Sequence, residues 1–378
     1  MKGIKCIAPV FDLNGYGQWS RGYIMSLIEA GVPVDVFPVS FDSNRPKVEL
    51  GEVGEIIEKH VKTGIEYDTC IAWLVPDIAK RAFDQEPKSV RKVSMSLWET
   101  VNLPKSWLKS FESIDDIWVC GEFGRRIYQD SIDKAGLDKK VQIVPYPVDA
   151  KSFEDEEILD FSKAVPGKDF SNHYKFYFIS QWNARKNFED LLNSYWREFT
   201  KEDEVVLVLK TYINDQSPKD QSHLQQALIE LGRRTGNPDR APVILLHGAF
   251  SSEKMVRLHN SCDCFVSPSR GEGLGLGIVE ASLAGNQIIC SEFGEQTSYV
   301  NHCITYPHME VPVSGMAGYT WYDSSQLWAQ PDVTKMSDLM RKAYEGEGWG
   351  QKDLKGKKHL TSTFTREATA SKIKELLS

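Results

Sequence analysis

Short apolar runs alternate with helix-like segments along the chain, and this alternation limits the fold more than any other feature. An apolar run at 4–9 is followed by a loop at 11–18, a helical pattern at 19–30 and a second apolar run at 34–39. Such alternation is typical of a parallel sheet whose strands are joined by crossover helices. We therefore predict an α/β fold.

The alternation occurs in two blocks, separated by a charged stretch at 149–168 without clear periodicity. The further apolar runs lie at 69–74, 92–97, 116–120 and 141–144 in the first block, and at 174–180, 205–209, 243–246, 263–267 and 287–291 in the second. A chain of 378 residues has the length of two average domains. We predict Rossmann-like domains at 1–165 and 166–360, with a C-terminal helix in 361–378 that packs on the first domain.

Composition excludes several classes of protein. Hydrophobic residues make up 41% and charged residues 26%, which is globular, and the net charge of -8 argues against a general nucleic-acid binder. The seven cysteines include no Cys-x-x-Cys pair, so we expect reduced thiols. The N-terminus leads directly into an apolar strand pattern, and no apolar run approaches the roughly 20 residues that span a bilayer. We expect a cytoplasmic protein with no integral membrane association.

The most informative segment is 267–281, which follows a predicted strand and leads into a helical pattern at 276–284. Gly273, Gly275 and Gly277 alternate here. Glycines let backbone amides approach a ligand closely, and the start of a helix carries unpaired N–H groups with partial positive charge. This combination suits a diphosphate.

Two carboxylates frame the same segment, Glu272 before the helix and Glu280 about one turn into it. An ionised carboxylate only accepts hydrogen bonds, so it suits sugar hydroxyls and repels phosphate. Glu280 is placed to reach a ribose diol, and Glu272 to reach hydroxyls of a transferred sugar. The alternative is structural: Glu272 complements the helix dipole and the glycines make a turn.

The run at 268–276, followed by Glu280-Ala281, resembles the Glu-x7-Glu signature of retaining glycosyltransferases of family four, which have the two-Rossmann GT-B fold. Other stretches are similar to the family at 144–149, 181–187, 247–250, 258, 262–266, 328–331 and 339–341. The resemblance implies two domains facing a central cleft. It also implies transfer of a sugar from a nucleotide-sugar donor to an acceptor hydroxyl, with retention of configuration.

The resemblance assigns the catalytic roles to Lys186, Arg185 and Glu272. Lys186 is expected to contact the donor diphosphate with help from Arg185, because fixed cations stabilise charge on the leaving group. The alternative is a solvated pair before a helix capped by Asn187. No Asp-x-Asp motif occurs, and we expect a metal-independent enzyme without a cofactor.

The resemblance also implies donor contacts from both domains, with the glycine loop of the first domain passing beneath the donor phosphates and sugar. The expected donor-binding residues are Gly15, Gly17, Gly273, Leu274, Gly275, Leu276, Glu280, His247 and Phe250. We expect a UDP-sugar in preference to a GDP-sugar.

Candidates for acceptor contacts are Tyr16, Trp19, Arg21, Trp98 and Glu99. For the first three, a tight turn with packed aromatic side chains is the alternative, and for Trp98 it is a place in the core. The acceptor class stays open: a sugar, a small molecule, a protein and a modified nucleobase are all compatible with the sequence.

Two departures from the family bear on activity. Many members carry a first-domain histidine near the reacting sugar, where this chain has Trp98 and Glu99, and Gln181 stands where arginine is common. Both departures favour the alternative of a catalytically degenerate protein that binds nucleotide sugar. A nucleotide-sugar epimerase or a phosphorylase on the same fold is a further alternative.

Overall fold

A computed structural model describes residues 2–41, 50–161, 167–214, 216–346 and 352–378. The chain divides into two compact units. Unit 1 comprises Met1–Asp149, Trp321–Gln326 and Leu360–Ser378, and unit 2 comprises Ala150–Thr320 and Leu327–His359.

The division at 149/150 comes earlier than the boundary at 165 expected from the sequence. Residues just after Asp149 are hydrogen-bonded to the end of a unit 2 helix, which explains the difference. The Asn260 side chain donates to the Asp155 carbonyl over 2.7 Å, and the Leu159 amide donates to Ser261 Oγ over 2.6 Å.

Unit 1 contains a six-stranded parallel sheet in the order β2-β1-β3-β4-β5-β6. The strands are β1 Ile4–Ala8, β2 Val34–Pro38, β3 Thr69–Trp73, β4 Arg91–Met95, β5 Asp116–Val119 and β6 Val141–Ile143. Every residue of β3 is buried, as expected for a strand covered by helices on both faces.

The crossover helices of unit 1 are α1 Gly15–Glu29, α2 Gly51–Glu58, α3 Pro76–Phe83, α4 Lys105–Ser110 and α5 Glu122–Lys134. Helix α1 starts four residues before the predicted helix at 19–30, so the second half of the predicted loop at 11–18 is helical instead. The cause is local: Asn14 is the N-cap, and its Oδ1 accepts the Gly17 amide over 3.0 Å.

The C-terminal helix α12, Arg366–Leu377, belongs to unit 1 and packs on α1. Arg366 forms an ion pair with Glu29, and Lys374 Nζ donates to the carbonyl of Ala30 over 3.0 Å. Thr369 Oγ1 donates to the carbonyl of Pro145 over 2.9 Å. The helix thereby covers the outer face of α1.

Unit 2 contains a second six-stranded parallel sheet, in the order β12-β11-β10-β7-β8-β9, and a two-stranded antiparallel hairpin, β13-β14. The strands are β7 Tyr174–Gln181, β8 Val205–Tyr212, β9 Val243–Leu246, β10 Cys264–Val266, β11 Gln287–Ser291, β12 Ile304–Tyr306, β13 His308–Pro312 and β14 Leu327–Pro331. Two parallel sheets confirm the predicted α/β fold with two Rossmann-like units.

The remaining helices are α6 Phe188–Glu198, α7 Pro218–Arg234, α8 Ser252–Asn260, α9 Leu276–Leu283, α10 Val333–Glu345 and α11 Leu354–Thr363. Helix α11 carries the chain from unit 2 into unit 1. Among the described residues, none of the helices has the length and apolar character needed to cross a membrane.

Candidate functional site

The candidate site of unit 2 lies where two neighbouring parallel strands end. Strands β7 and β10 pair directly, so the loops that follow them, 182–187 and 267–275, leave the same edge of the sheet. In open α/β sheets ligands bind beyond the carboxyl ends of the strands. Both loops are the ones that the sequence analysis selected.

Arg270 holds the two loops together. Its backbone amide donates to the carbonyl of Arg185 over 2.8 Å, and its Nη1 donates to the carbonyl of Ala184 over 2.9 Å. Sequence analysis gave Arg270 no role, because its function depends on carbonyl groups that are remote in sequence. The pairing fixes the two loops relative to each other.

The cations of one loop converge on the carboxylate of the other. Lys186 Nζ lies 2.5 Å from Glu272 Oε1, and Arg185 Nη1 lies 3.7 Å from Glu272 Oε2. Arg185 Nη1 also donates to the carbonyl of Gly271 over 2.7 Å. The side chains of Lys186 and Arg185 are only 14% and 15% exposed, which argues against the alternative of a solvated pair.

Burial and charge act in opposite directions on Glu272. Burial alone would raise the pKa of this carboxyl, but the charges of Lys186 and Arg185 and the hydrogen bond from Lys186 outweigh it. The net result is a pKa below the usual range, so Glu272 is ionised at neutral pH. The site therefore contains a nearly buried cluster of two cations and one carboxylate, which leaves one positive charge in excess.

Asn187 starts α6 differently from the expected cap. It adopts a left-handed conformation with φ 54°, and its side chain does not cap the helix. Its Nδ2 instead donates to Asp190 Oδ2 over 2.7 Å and faces the carbonyl of Pro268 at 3.4 Å. Asn187 thus adds a second link between the two loops, directly beside Lys186.

Helix α9 begins directly after the second of the three alternating glycines. Gly275 is its N-cap and has φ 76°, a conformation that side chains rarely adopt. A Cβ atom on Gly277 would lie 3.0 Å from the ring of Phe265, so this glycine permits close packing of helix on sheet. Gly273, Leu274 and Leu276 complete the turn, and the first hydrogen bond of α9 runs from the Ile278 amide to the Gly275 carbonyl over 2.9 Å. The amides that precede this bond are the ones that a helix leaves without intrahelical partners.

Glu280 lies on α9, and its side chain is 18% exposed. Unlike Glu272, which contacts two cations, it contacts a histidine. Its Oε2 lies 3.3 Å from Nε2 of His259, which is fully buried on α8. The sequence analysis did not select His259. A histidine near the end of an amphipathic helix gives no sequence signal for a contact with Glu280.

His247 and Phe250 follow strand β9. His247 Nε2 lies 3.4 Å from Oδ2 of the buried Asp220, and the Phe250 ring centroid lies 4.8 Å from Lys210 Nζ and 3.9 Å from Lys254 Nζ. Burial and then the charge of Lys254 lower the pKa of Lys210 to about 8. Lys210 gives no functional signal in the sequence, because it directly follows the apolar run at 205–209.

The two glycines at the start of α1, Gly15 and Gly17, have different surroundings. Gly15 is exposed at the first turn of α1, whereas Gly17 is buried. A Cβ atom on Gly17 would clash with the Asp12 carbonyl oxygen and would lie 2.8 Å from that of Pro9. Gly17 is therefore required by the packing of the preceding chain against α1.

Two of the acceptor-side candidates on α1 have structural partners. Trp19 is fully buried, and its ring forms edge contacts with Tyr16 and Tyr23. Arg21 Nη1 donates to the carbonyls of Val10 and Asp12 over 2.8 Å each. Burial lowers the pKa of Arg21 to about 10. The packed-turn alternative thus describes Trp19 and Arg21 better than acceptor contact does, while Tyr16 is partly buried.

Trp98 belongs to an aromatic cluster within unit 1. It is 4% exposed, stacks on Tyr322 at a centroid distance of 4.8 Å and contacts Trp107 edge-on at 4.7 Å. Its Nε1 lies within hydrogen-bonding distance of Thr100 Oγ1, at 2.6 Å. The core alternative fits Trp98, and the neighbouring Glu99 is half-buried.

Within the described ranges, no group of three or more His, Cys, Asp or Glu side chains is arranged to hold a metal ion.

Comparison with known proteins relates both sequence and fold to one class of enzyme. Residues 173–310 match the family model described as Glycosyl transferases group 1. No curated protein matches the chain.

Solved structures resemble the chain over nearly its whole length, at low sequence identity. Sucrose-phosphate synthase from Thermosynechococcus elongatus has a TM-score of 0.68 and 15% identity, covering 100% of this chain and 98% of its own. Anabaena HepE in complex with UDP and glucose has a TM-score of 0.63 and 15% identity, with coverage of 100% and 99%. Trehalose 6-phosphate synthase from Burkholderia multivorans has a TM-score of 0.66 and 10% identity, with coverage of 99% and 97%.

These structures share the GT-B fold, and the family match covers both loops of the unit 2 site. Lys186, Glu272 and Glu280 all lie within the matched residues 173–310. The chain therefore carries a glycosyltransferase domain on a GT-B fold, and it is a glycosyltransferase.

Proposed function

We propose that the protein transfers a sugar from a nucleoside diphosphate sugar to an acceptor hydroxyl, with retention of anomeric configuration and without a metal ion. The observation that carries the proposal is the convergence of Lys186 and Arg185 on Glu272, in the loops beside the start of α9. This arrangement combines two fixed cations, a set of helix-end amides and one carboxylate.

Each component has a partner in a nucleotide-sugar donor. The bond between the anomeric carbon and the diphosphate oxygen breaks in the reaction, and its electron pair stays on the diphosphate. Lys186, Arg185 and the amides at the start of α9 would stabilise that charge, which is the task that a metal ion performs elsewhere. Glu272 would accept hydrogen bonds from hydroxyls of the transferred sugar.

Retention requires the acceptor oxygen to bond to the anomeric carbon on the face from which the diphosphate departs. We propose that the acceptor proton passes to an oxygen of the leaving diphosphate. The leaving diphosphate can take this proton because its oxygen keeps the electron pair of the broken bond. Support comes from the resemblance to retaining enzymes and from the cations that would hold the leaving group in place.

A UDP-sugar is the proposed donor. HepE, which shares the fold, forms a complex with UDP and glucose. In this chain, the predicted base-binding loop contains His247 and Phe250, and His247 Nε2 lies 3.4 Å from Oδ2 of the buried Asp220. The loop thus offers an ordered surface for a nucleobase.

The test is a panel of UDP- and GDP-sugars, first by thermal shift and then by release of nucleoside diphosphate with and without a chelator. We expect a UDP-sugar to stabilise the protein most and turnover to be unchanged by EDTA. NMR of the product should show the anomeric configuration of the donor.

Three other results would each replace the proposal. Conversion of the donor sugar without nucleoside diphosphate release indicates an epimerase, and consumption of inorganic phosphate indicates a phosphorylase. Tight donor binding with no turnover across acceptors indicates a degenerate binding protein.

A further inference from the structure

A chain of buried polar side chains lies behind Glu280 in unit 2. Lys352 Nζ donates to Asn286 Oδ1 over 2.6 Å, and Asn286 Nδ2 donates to the Tyr177 hydroxyl over 2.8 Å. The Tyr177 hydroxyl lies 2.8 Å from His259 Nδ1, and His259 Nε2 lies 3.3 Å from Glu280 Oε2. Tyr177, His259 and Asn286 are fully buried.

The chemistry of these groups determines which atom donates in each hydrogen bond of the network. The amide of Asn286 is oriented at both ends, because its oxygen faces the Lys352 ammonium while its nitrogen faces the carbonyl of His259 at 2.6 Å and the hydroxyl of Tyr177. An amide nitrogen only donates, so the Tyr177 oxygen accepts that bond and its own hydrogen is directed to His259 Nδ1. A neutral His259 then carries its hydrogen on Nε2, which faces Glu280.

The packing leaves the imidazole little freedom to turn away. The His259 ring is stacked on Phe265 and has edge contacts with Tyr177 and Phe153. A buried polar network that is satisfied in this way is rigid. The donor Nε2–H is therefore held in one place, and its acceptor is a carboxylate that still reaches the surface.

We propose that His259, oriented by Tyr177 and Asn286, is a positioning residue that holds the Glu280 carboxylate for the ribose diol of the donor. The inference rests on the proposed function. A carboxylate has two oxygens that can each accept more than one hydrogen bond, so Glu280 can contact both His259 and the hydroxyls of a diol. A carboxylate fixed in advance does not lose side-chain freedom when the nucleotide binds.

The test compares Tyr177→Phe with the matched control Tyr195→Phe. Tyr195 is also fully buried in unit 2, but its hydroxyl donates to the carbonyl of Pro242 and is remote from Glu280 in the bonding network. The dissociation constants of UDP and of 2′,3′-dideoxy-UDP are measured by calorimetry for wild type and both variants.

We expect Tyr177→Phe to weaken UDP binding by about 10-fold, the size typical of a lost hydrogen bond to a charged group. Its affinity for dideoxy-UDP should equal that of wild type, since this ligand lacks the diol. Tyr195→Phe should leave both affinities unchanged. Equal weakening of both ligands by Tyr177→Phe, or of neither, would overturn the positioning role.

A second pair of variants tests the same contact without Tyr177. His259→Gln keeps an N–H donor that can reach Glu280, whereas His259→Met does not, so UDP affinity should be higher in the glutamine variant. Equal affinities would contradict the inference. If the wild-type protein fails to bind UDP, the proposed donor is wrong, and that result is distinct from any difference among variants.

Discussion

Lys186 Nζ and Glu272 Oε1 are 2.5 Å apart, with both side chains nearly buried. In the proposed reaction the two groups have different partners: Lys186 contacts the diphosphate of the donor, and Glu272 contacts the hydroxyls of its sugar. Their opposite charges neutralise each other, and Arg185 Nη1 lies 3.7 Å from the second oxygen of the same carboxylate. Donor binding must rearrange this pair, and its mutants should therefore separate binding from turnover.

Lys186→Ala should lower turnover by roughly 100-fold, because it removes a fixed cation beside the leaving diphosphate. Steady-state release of nucleoside diphosphate measures the effect. Lys201→Ala is the control, since Lys201 forms an exposed ion pair with Asp239. Near-normal turnover in Lys186→Ala would remove this lysine from the mechanism.

Glu272→Gln should separate affinity from chemistry. Without the carboxylate, Lys186 and Arg185 lose their charged partner, and the repulsion between Glu272 and phosphate disappears. We expect UDP to bind several-fold more tightly while transfer falls at least 10-fold, because the amide is a weaker acceptor for sugar hydroxyls. Calorimetry and product assays measure the two effects, and weaker UDP binding would contradict the proposed role.

Gly275→Ala should destabilise the protein by about 1–2 kcal/mol from its left-handed backbone alone. The new Cβ would also lie 3.1 Å from Cβ of Gln296. Gly346→Ala is a matched control, because Gly346 has φ 72° and open space around it. Unfolding experiments should show a larger loss for Gly275→Ala, and UDP binding should weaken in that variant alone. Equal losses would mean that the turn can absorb a methyl group.

Lys210→Met should stabilise the protein at neutral pH, because burial of a charged ammonium opposes folding. The pKa of Lys210 is about 8 in the folded protein against 10.5 for an ordinary lysine, so the unfolded chain binds more protons between these values. The free energy of unfolding of the wild type therefore rises with pH across this window. The advantage of the variant, up to about 3 kcal/mol, should be complete below pH 8 and shrink towards pH 10.5.

Thermal unfolding of the two proteins at several pH values between 7 and 10.5 measures that difference. A constant difference over the whole range would show that Lys210 titrates normally.

Trp98→Phe tests whether the aromatic cluster of unit 1 packs or binds sugar. The variant loses the Nε1 hydrogen bonds to Thr100 and Asn102 and part of the contact with Tyr322, so we expect a loss of roughly 1–3 kcal/mol in stability. The KM for the acceptor should stay within about twofold, as expected for a residue that acts only through packing. A large rise in that KM with unchanged stability would instead support sugar stacking.

The sheets of both units could be predicted from sequence because buried parallel strands are continuous apolar runs. All residues of β3 are buried, for example, and its apolar run was recognised. The hairpin β13-β14 gave no such signal, since exposed and half-buried residues alternate irregularly in β13. The start of α1 was also mispredicted, because Gly15 and Gly17 suggest a loop and only the cap formed by Asn14 shows otherwise.

For the site, sequence could identify the residues whose spacing is local. The Glu272 loop, the start of α9 and Lys186 were all selected, and the structure brings Lys186 and Glu272 together. His259 and Arg270 were missed because their roles consist of contacts with remote residues. For Trp19 the sequence left burial as one of two alternatives, since a helical aromatic residue can face either solvent or core.

Unit 1 is built from three separate stretches of the chain, and this affects the order in which the two units can fold. Most multidomain chains complete their N-terminal part first during synthesis on the ribosome. Here α12 covers α1, although the whole of unit 2 is translated between these two helices, and unit 1 also needs Trp321–Gln326. During synthesis the α1 surface of unit 1 therefore stays uncovered until α12 has been translated, whereas the six-stranded sheet of unit 2 is fully translated by Tyr306.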